Sequence, residues 1–150
     1  MSLDSEDTQP RVSFYCGDKR LEIIIDEDKF FKILDIINIK EKIDDFNIKK
    51  RRLEDLLHRL GISSNLKGYT YIKYSIYLTK EKNINKTRHI YNLVANHYNT
   101  SSNAVEHAIS HAIKRGWHYA ELSMIDKIFG YSIKDIPTNT QFIIMVSELI

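Results

Sequence analysis

Arg88-His-Ile-Tyr-Asn-Leu-Val-Ala-Asn-His-Tyr-Asn-Thr-Ser-Ser-Asn-Ala-Val-Glu-His-Ala-Ile109 sets two apolar-faced helical patterns on either side of a polar break, Tyr98-Asn-Thr-Ser101. Before the break, Ile90, Leu93 and Val94 recur at helical spacing; after it, Val105, Ala108, Ile109, Ala112 and Ile113 do the same. Two short helices joined by so short a break form the layout of a helix-turn-helix. Ala95 is small enough to admit the second helix, and Asn99 tolerates the left-handed backbone that a tight interhelical turn requires. Thr100, Ser101 and Ser102 offer caps for the second helix and backbone N–H groups for a phosphate.

At about 100° per residue the second helix divides into two faces. Asn103, His107, Ser110 and Lys114 lie opposite the apolar stripe, flanked by Glu106 and His111. In a major groove Asn pairs with adenine, Ser with several base edges, Glu with cytosine N4 and Lys with guanine or phosphate. The same pattern also describes an ordinary amphipathic helix with its wet face outward. On the first reading Asn103, Glu106, His107, Ser110 and His111 face bases, and Lys67, Thr100, Ser101, Ser102 and Lys114 face phosphates.

Outward from this pair the chain is helical from about residue 51. Leu53, Leu56, Leu57 and Leu60 form a stripe that stops at Gly61, a left-handed cap. Further helices are expected over Lys67 to about Thr79, Lys86 to Tyr98, Ser102 to about His118, a short stretch ending at Phe129-Gly130, and from after Pro137-Thr-Asn to Ile150. Toward the N-terminus, residues 1–10 read as a disordered tail. Arg11–Cys16 and Leu21–Ile25, separated by Gly17-Asp18, read as a hairpin, which should pack on a helix from Lys29 to about Ile37. The basic run Lys49-Lys-Arg-Arg52 reads as a solvated linker or helix start. The organisation expected is therefore a tail at 1–10, a small hairpin-and-helix attachment at 11–50 and a helix-turn-helix domain at 51–150. The fold class is mainly α.

Charge is uneven along the chain. Residues 1–50 hold 12 acids and 9 bases, whereas residues 51–150 hold 8 acids and 13 bases, a net +5 that suits a polyanion. Cys16 is the only cysteine, so no internal disulfide or multi-cysteine zinc site can form. The polar, acidic start lacks a signal-peptide pattern and no apolar run is long enough to span a bilayer, so the expectation is a cytoplasmic protein with no membrane partner. Five glycines include no nucleophile elbow, P-loop or dinucleotide fingerprint, which argues against an enzyme and against a cofactor. His107 and His111 are spaced for a metal, but no third ligand is visible and no metal site is expected. Tyr69, Tyr71, Trp117 and Phe129 are read as core in preference to base-stacking platforms. Ile23-Ile-Ile25 followed by Asp26-Glu-Asp28 has the look of a phosphate-accepting receiver domain, but too few residues follow for its doubly wound sheet.

Leu57-His-Arg-Leu-Gly-Ile-Ser-Ser-Asn-Leu-Lys-Gly-Tyr-Thr-Tyr-Ile, Tyr98-Asn-Thr-Ser, Val105-Glu-His-Ala-Ile-Ser-His-Ala-Ile, Trp117, Ile128-Phe-Gly-Tyr and Pro137-Thr-Asn-Thr-Gln-Phe-Ile occur in that order. Together they closely resemble the C-terminal DNA-binding domain of the sporulation master response regulator of endospore-forming bacteria, over roughly residues 53–150. The resemblance implies a six-helix effector domain whose fourth helix enters the major groove of double-stranded DNA and whose last helix can pair two domains. It also shows departures. Ala104, His107 and Ser110 stand where that family usually carries arginines, while its glutamate and histidine are kept as Glu106 and His111. The family's receiver domain has no counterpart in residues 1–50, so phosphorylation control by that route is not expected.

Two readings follow. One is a sequence-specific transcription regulator; the other is an interaction module that has lost most DNA affinity and pairs with a related regulator. For pairing, Phe142, Met145, Val146 and Leu149 are expected to dock on the domain's own core, leaving Ile143, Ile144 and Ile150 for a homodimer or a related partner.

Overall fold

The computed structural model describes residues 11–16, 18–24, 26–84 and 86–150; the expected tail at 1–10 lies outside them. Two strands, β1 (Arg11–Cys16) and β2 (Lys19–Ile24), pair antiparallel with Arg11 opposite Ile24 and Cys16 opposite Lys19. Six helices follow: α1 (Glu27–Arg59), α2 (Lys67–Glu81), α3 (Thr87–His97), α4 (Ser102–Tyr119), α5 (Leu122–Phe129) and α6 (Asn139–Glu148). The chain divides into two compact units, Met1–Asn47 and Ile48–Ile150.

Asp26 starts α1. Its carboxylate accepts the Lys29 N–H at 2.9 Å, and this bond, with the Lys29 ammonium, holds the carboxyl below its ordinary range. The acidic Asp26-Glu-Asp28 run is thus the start of a helix. Where two helices were expected with Lys49-Lys-Arg-Arg52 between them, α1 is one helix of 33 residues. No glycine or proline occurs from Glu27 to Arg59, so nothing in the sequence breaks it. The hairpin does not bury the first turns of α1: Phe31, Ile33, Leu34 and Ile37 are all exposed. A two-stranded ribbon has too little surface to cover such a face.

In the second unit, α1 ends as its sequence indicates. Gly61 adopts φ +73°, its N–H donates to the His58 carbonyl at 2.9 Å and the Ile62 N–H reaches the Leu57 carbonyl at 2.9 Å. Leu57, Leu60, Ile72, Ile109, Ile113, Ile125 and Phe142 fill a continuous core with almost no solvent exposure. Tyr69, Tyr71, Trp117 and Phe129 are buried within it, so these aromatics are packing residues. Trp117 lies between Phe129 and Phe142, with ring centroids 6.4 and 6.2 Å away, and its Nε1 has no hydrogen-bond partner among the described residues.

α2 and α4 cross in close contact at Gly68. A Cβ placed on Gly68 would stand 2.1 Å from the Ala108 carbonyl oxygen and 2.6 Å from the Ala112 Cβ. Glycine is therefore required there by contact with backbone, and small residues at 108 and 112 complete the fit.

Candidate nucleic-acid interface

The turn between α3 and α4 is built by backbone hydrogen bonds. Tyr98 N–H donates to the Val94 carbonyl at 3.0 Å and Thr100 N–H to the Ala95 carbonyl at 2.9 Å, with Asn99 between them at φ +52°. This is a left-handed helix termination in which asparagine replaces the usual glycine. Ala95 is buried. Tyr98 packs on Tyr71 and Tyr74, and His97 stacks on Tyr74 at 4.3 Å, which fixes the end of α3.

α4 begins at once. The Ser101 hydroxyl accepts the Ala104 N–H at 3.2 Å, and Val105 N–H bonds the Ser101 carbonyl at 3.0 Å. Ser102 Oγ donates to the Asn92 side-chain oxygen, which ties the first residue of α4 back to α3. Of the three residues expected to face phosphates here, Thr100 already uses its N–H, and Ser101 and Ser102 already use their hydroxyls inside the turn. The first-turn N–H groups of Ser102 and Asn103, for which helix geometry supplies no acceptor, stay open to an anion.

The two faces of α4 separate as the sequence indicates. Val105, Ile109, Ala112, Ile113 and Trp117 are buried. Asn103, Glu106, His107, His111 and Lys114 are exposed, and Ser110 is half-buried. Ala104, one of the positions where the resembled family carries arginine, shares the solvent side, as do Arg115 and His118. Arg115 carries its guanidinium over the Tyr119 ring, 5.9 Å from the centroid. Lys67 is exposed at the first position of α2, next to the Gly68 crossing with α4.

A support that sequence reading missed comes from α6. Thr138 and Gln141 form a capping box at its start. That geometry brings the Asn139 side-chain amide to the Tyr91 hydroxyl at 3.0 Å and to the Glu106 carbonyl at 3.1 Å. One amide group therefore joins α6 to both helices of the pair. Thr87 and Thr140 share a hydrogen bond of 2.8 Å beside it. Burial pushes the Tyr91 hydroxyl above the usual phenol range, and the Asn139 bond works against that shift. The only local sign of this role is the Thr138-x-x-Gln141 spacing. Replacing Asn139 with alanine takes the donor from the part-buried Tyr91 hydroxyl and the exposed Glu106 carbonyl, so urea unfolding should show a loss of about 1 kcal/mol. Adding Tyr91→Phe should cost less in that background than in the parent.

α6 itself is turned from the expected orientation. Phe142, Ile143, Val146 and Ser147 are its buried residues, whereas Met145 is half-buried and Leu149 is 44% exposed beyond the helix end. Ile143, expected on the surface for dimerisation, is 2% exposed and shares a small cleft with Thr79 and Ile90. The Thr87–Thr140 bond and the Asn139 amide fix the rotation of α6 about its axis and turn Ile143 inward. Ile144 is exposed and Ile150 half-buried.

The site thus has a hydrogen-bonded turn, a capped second helix with one wholly buried face and an opposite face of hydrogen-bonding side chains, and a brace from the last helix. Among the described residues no helix is long and apolar enough to cross a membrane. A family model described as the sporulation initiation factor Spo0A C terminal matches residues 53–150, and the chain belongs to that family of DNA-binding, transcription-regulating effector domains.

Proposed function

We propose that residues 51–150 bind double-stranded DNA in a sequence-specific way, with α4 in the major groove. The observation that carries this reading is the division of α4. Its inner face is sealed against α2, α3 and α6, while Asn103, Glu106, His107, Ser110 and His111 are presented along its outer side on a rigid turn. Asn103 and His107 lie in the first two turns, the part of a recognition helix that reaches base edges. Lys67, Lys114 and the first-turn N–H groups of α4 contribute phosphate contacts, which position the domain without reading sequence.

A second reading is favoured by one observation. The outer face of α4 holds Ala104, His107 and Ser110 where arginines would give bidentate guanine contacts, and Glu106 adds a negative charge. Such a face fits a domain with weak DNA affinity that acts by pairing with a related regulator. Selection of duplexes from a random pool by the purified chain distinguishes the two: an enriched motif supports the first, and flat recovery supports the second.

About four phosphate contacts predict a log–log salt slope of roughly −3 to −4. Asn103→Ala, Glu106→Ala and His107→Ala should change the preferred sequence. Lys67→Ala and Lys114→Ala should weaken binding evenly and reduce the slope by about 0.9 each. A slope near zero, or three recognition-face variants with the parent's sequence profile, overturns the placement of α4 in the groove.

A further inference from the structure

In the first unit, Ile36, Ile39, Ile43 and Phe46 follow one another along α1 at steps of three, four and three residues. That spacing sets side chains on a single seam of a helix. All four are in water, at 65, 57, 53 and 52% exposure. We propose that this seam pairs two copies of the chain as a short, parallel, two-stranded coiled coil.

The flanking charges identify the occupant. With Ile36 and Ile43 at the a positions and Ile39 and Phe46 at d, Asp35 and Lys42 fall at g and Lys40 and Asn47 at e. In a parallel pair each g residue faces the e residue of the partner's next heptad. Asp35 then meets the partner's Lys40, twice by symmetry, and Lys42 meets the partner's Asn47, so no like charges oppose. In an antiparallel pair g faces g and e faces e, which sets Lys42 against Lys42 and Lys40 against Lys40. Asp35 and Lys40 are both exposed. The seam is therefore self-complementary in one orientation only, which singles out a second copy of this chain.

The seam is short. Residues 35–47 cover about 20 Å of helix, so the contact falls below the ~800 Å² per partner of a standard stable interface. The dimer is accordingly weak and reversible.

Sedimentation of the full chain from low to high micromolar concentration tests this. A monomer–dimer equilibrium is expected, and Ile39→Asp combined with Ile43→Asp should raise the dissociation constant at least tenfold while far-UV dichroism stays unchanged. Ile37→Asp, on the side of α1 away from the seam, and Ile144→Glu, on α6, should leave it unaltered. Asp35→Lys should weaken pairing by about three- to tenfold, and adding Lys40→Asp should restore it, because the pair is then reversed but still complementary. A chain that stays monomeric throughout, an equal loss in Ile37→Asp or Ile144→Glu, or a double charge reversal that fails to restore pairing overturns the proposal.

Discussion

Gly68→Ala is expected to lower the thermal midpoint of the Ile48–Ile150 unit by roughly 10–20 °C. The added Cβ would lie 2.1 Å from the Ala108 carbonyl oxygen, and a backbone atom cannot rotate aside as a flexible side chain does. Relief requires α2 to move off α4 along the crossing that also buries Ile72 and Ile109. Overpacking costs typically 1–3 kcal/mol and sometimes more; with a backbone clash this close the loss should reach about 3 kcal/mol, a large share of the ~5–15 kcal/mol that holds a domain folded. For a unit of this size each kcal/mol shifts the midpoint by about 4–8 °C. Gly130→Ala is the control. Gly130 also has positive φ, at +78°, but nothing lies within 4 Å of the added Cβ, so only the backbone penalty of about 1–2 kcal/mol applies. Equal midpoints for the two variants would mean that α2 and α4 do not meet at Gly68.

Placing arginine on the outer side of α4 should give the largest change in binding. Ala104 and His107 are exposed and Ser110 is half-buried, so Ala104→Arg, His107→Arg and Ser110→Arg add guanidinium groups without disturbing the buried face. Each good bidentate contact to guanine is worth about 1–3 kcal/mol of discrimination, so the triple variant should bind guanine-containing duplexes at least tenfold tighter than the parent. Its salt slope should steepen by up to about 0.9 for each arginine that falls on phosphate instead. Fluorescence anisotropy at several salt concentrations measures both quantities. A triple variant with the parent's affinity and slope would show that this side of α4 does not face DNA.

Those features of the site that depend on local chemistry were legible in the sequence. Asn99 between two apolar-periodic runs specifies a left-handed turn because few other residues tolerate that backbone, and Gly61 specifies the end of α1 for the same reason. The two faces of α4 follow from period alone, since Val105, Ile109 and Ile113 leave Asn103, His107 and Lys114 no route to the core. The family resemblance over residues 53–150 was carried by motifs within these same helices.

Features set by contacts far apart in the chain were not legible. Ile143 looks like a surface residue when α6 is read by its own period, because the period cannot say which of two apolar arcs a short helix turns inward. Asn139 and Thr140, bonded to Tyr91, Glu106 and Thr87, make that choice. The same holds for the hydroxyls of the turn. Ser102 reads as one of three candidate caps for α4, and only the packing of α3 against it shows that its hydroxyl donates to Asn92. The length of α1 is hidden for another reason: Lys49-Lys-Arg-Arg52 is polar enough to resemble a linker, yet lysine and arginine are good helix formers and nothing beside them ends a helix.

Trp117 is the single tryptophan of the chain, sealed between Phe129 and Phe142 in the Ile48–Ile150 unit. Its emission is therefore an optical label on one unit, blue-shifted while the core excludes water and red-shifted once α4 and α6 part. The Met1–Asn47 unit carries no indole and is dark at that wavelength. Far-UV dichroism, by contrast, sums every turn of α1 along with the rest. Two melts recorded on one sample, one by emission and one by dichroism, would resolve the two units without cutting the chain.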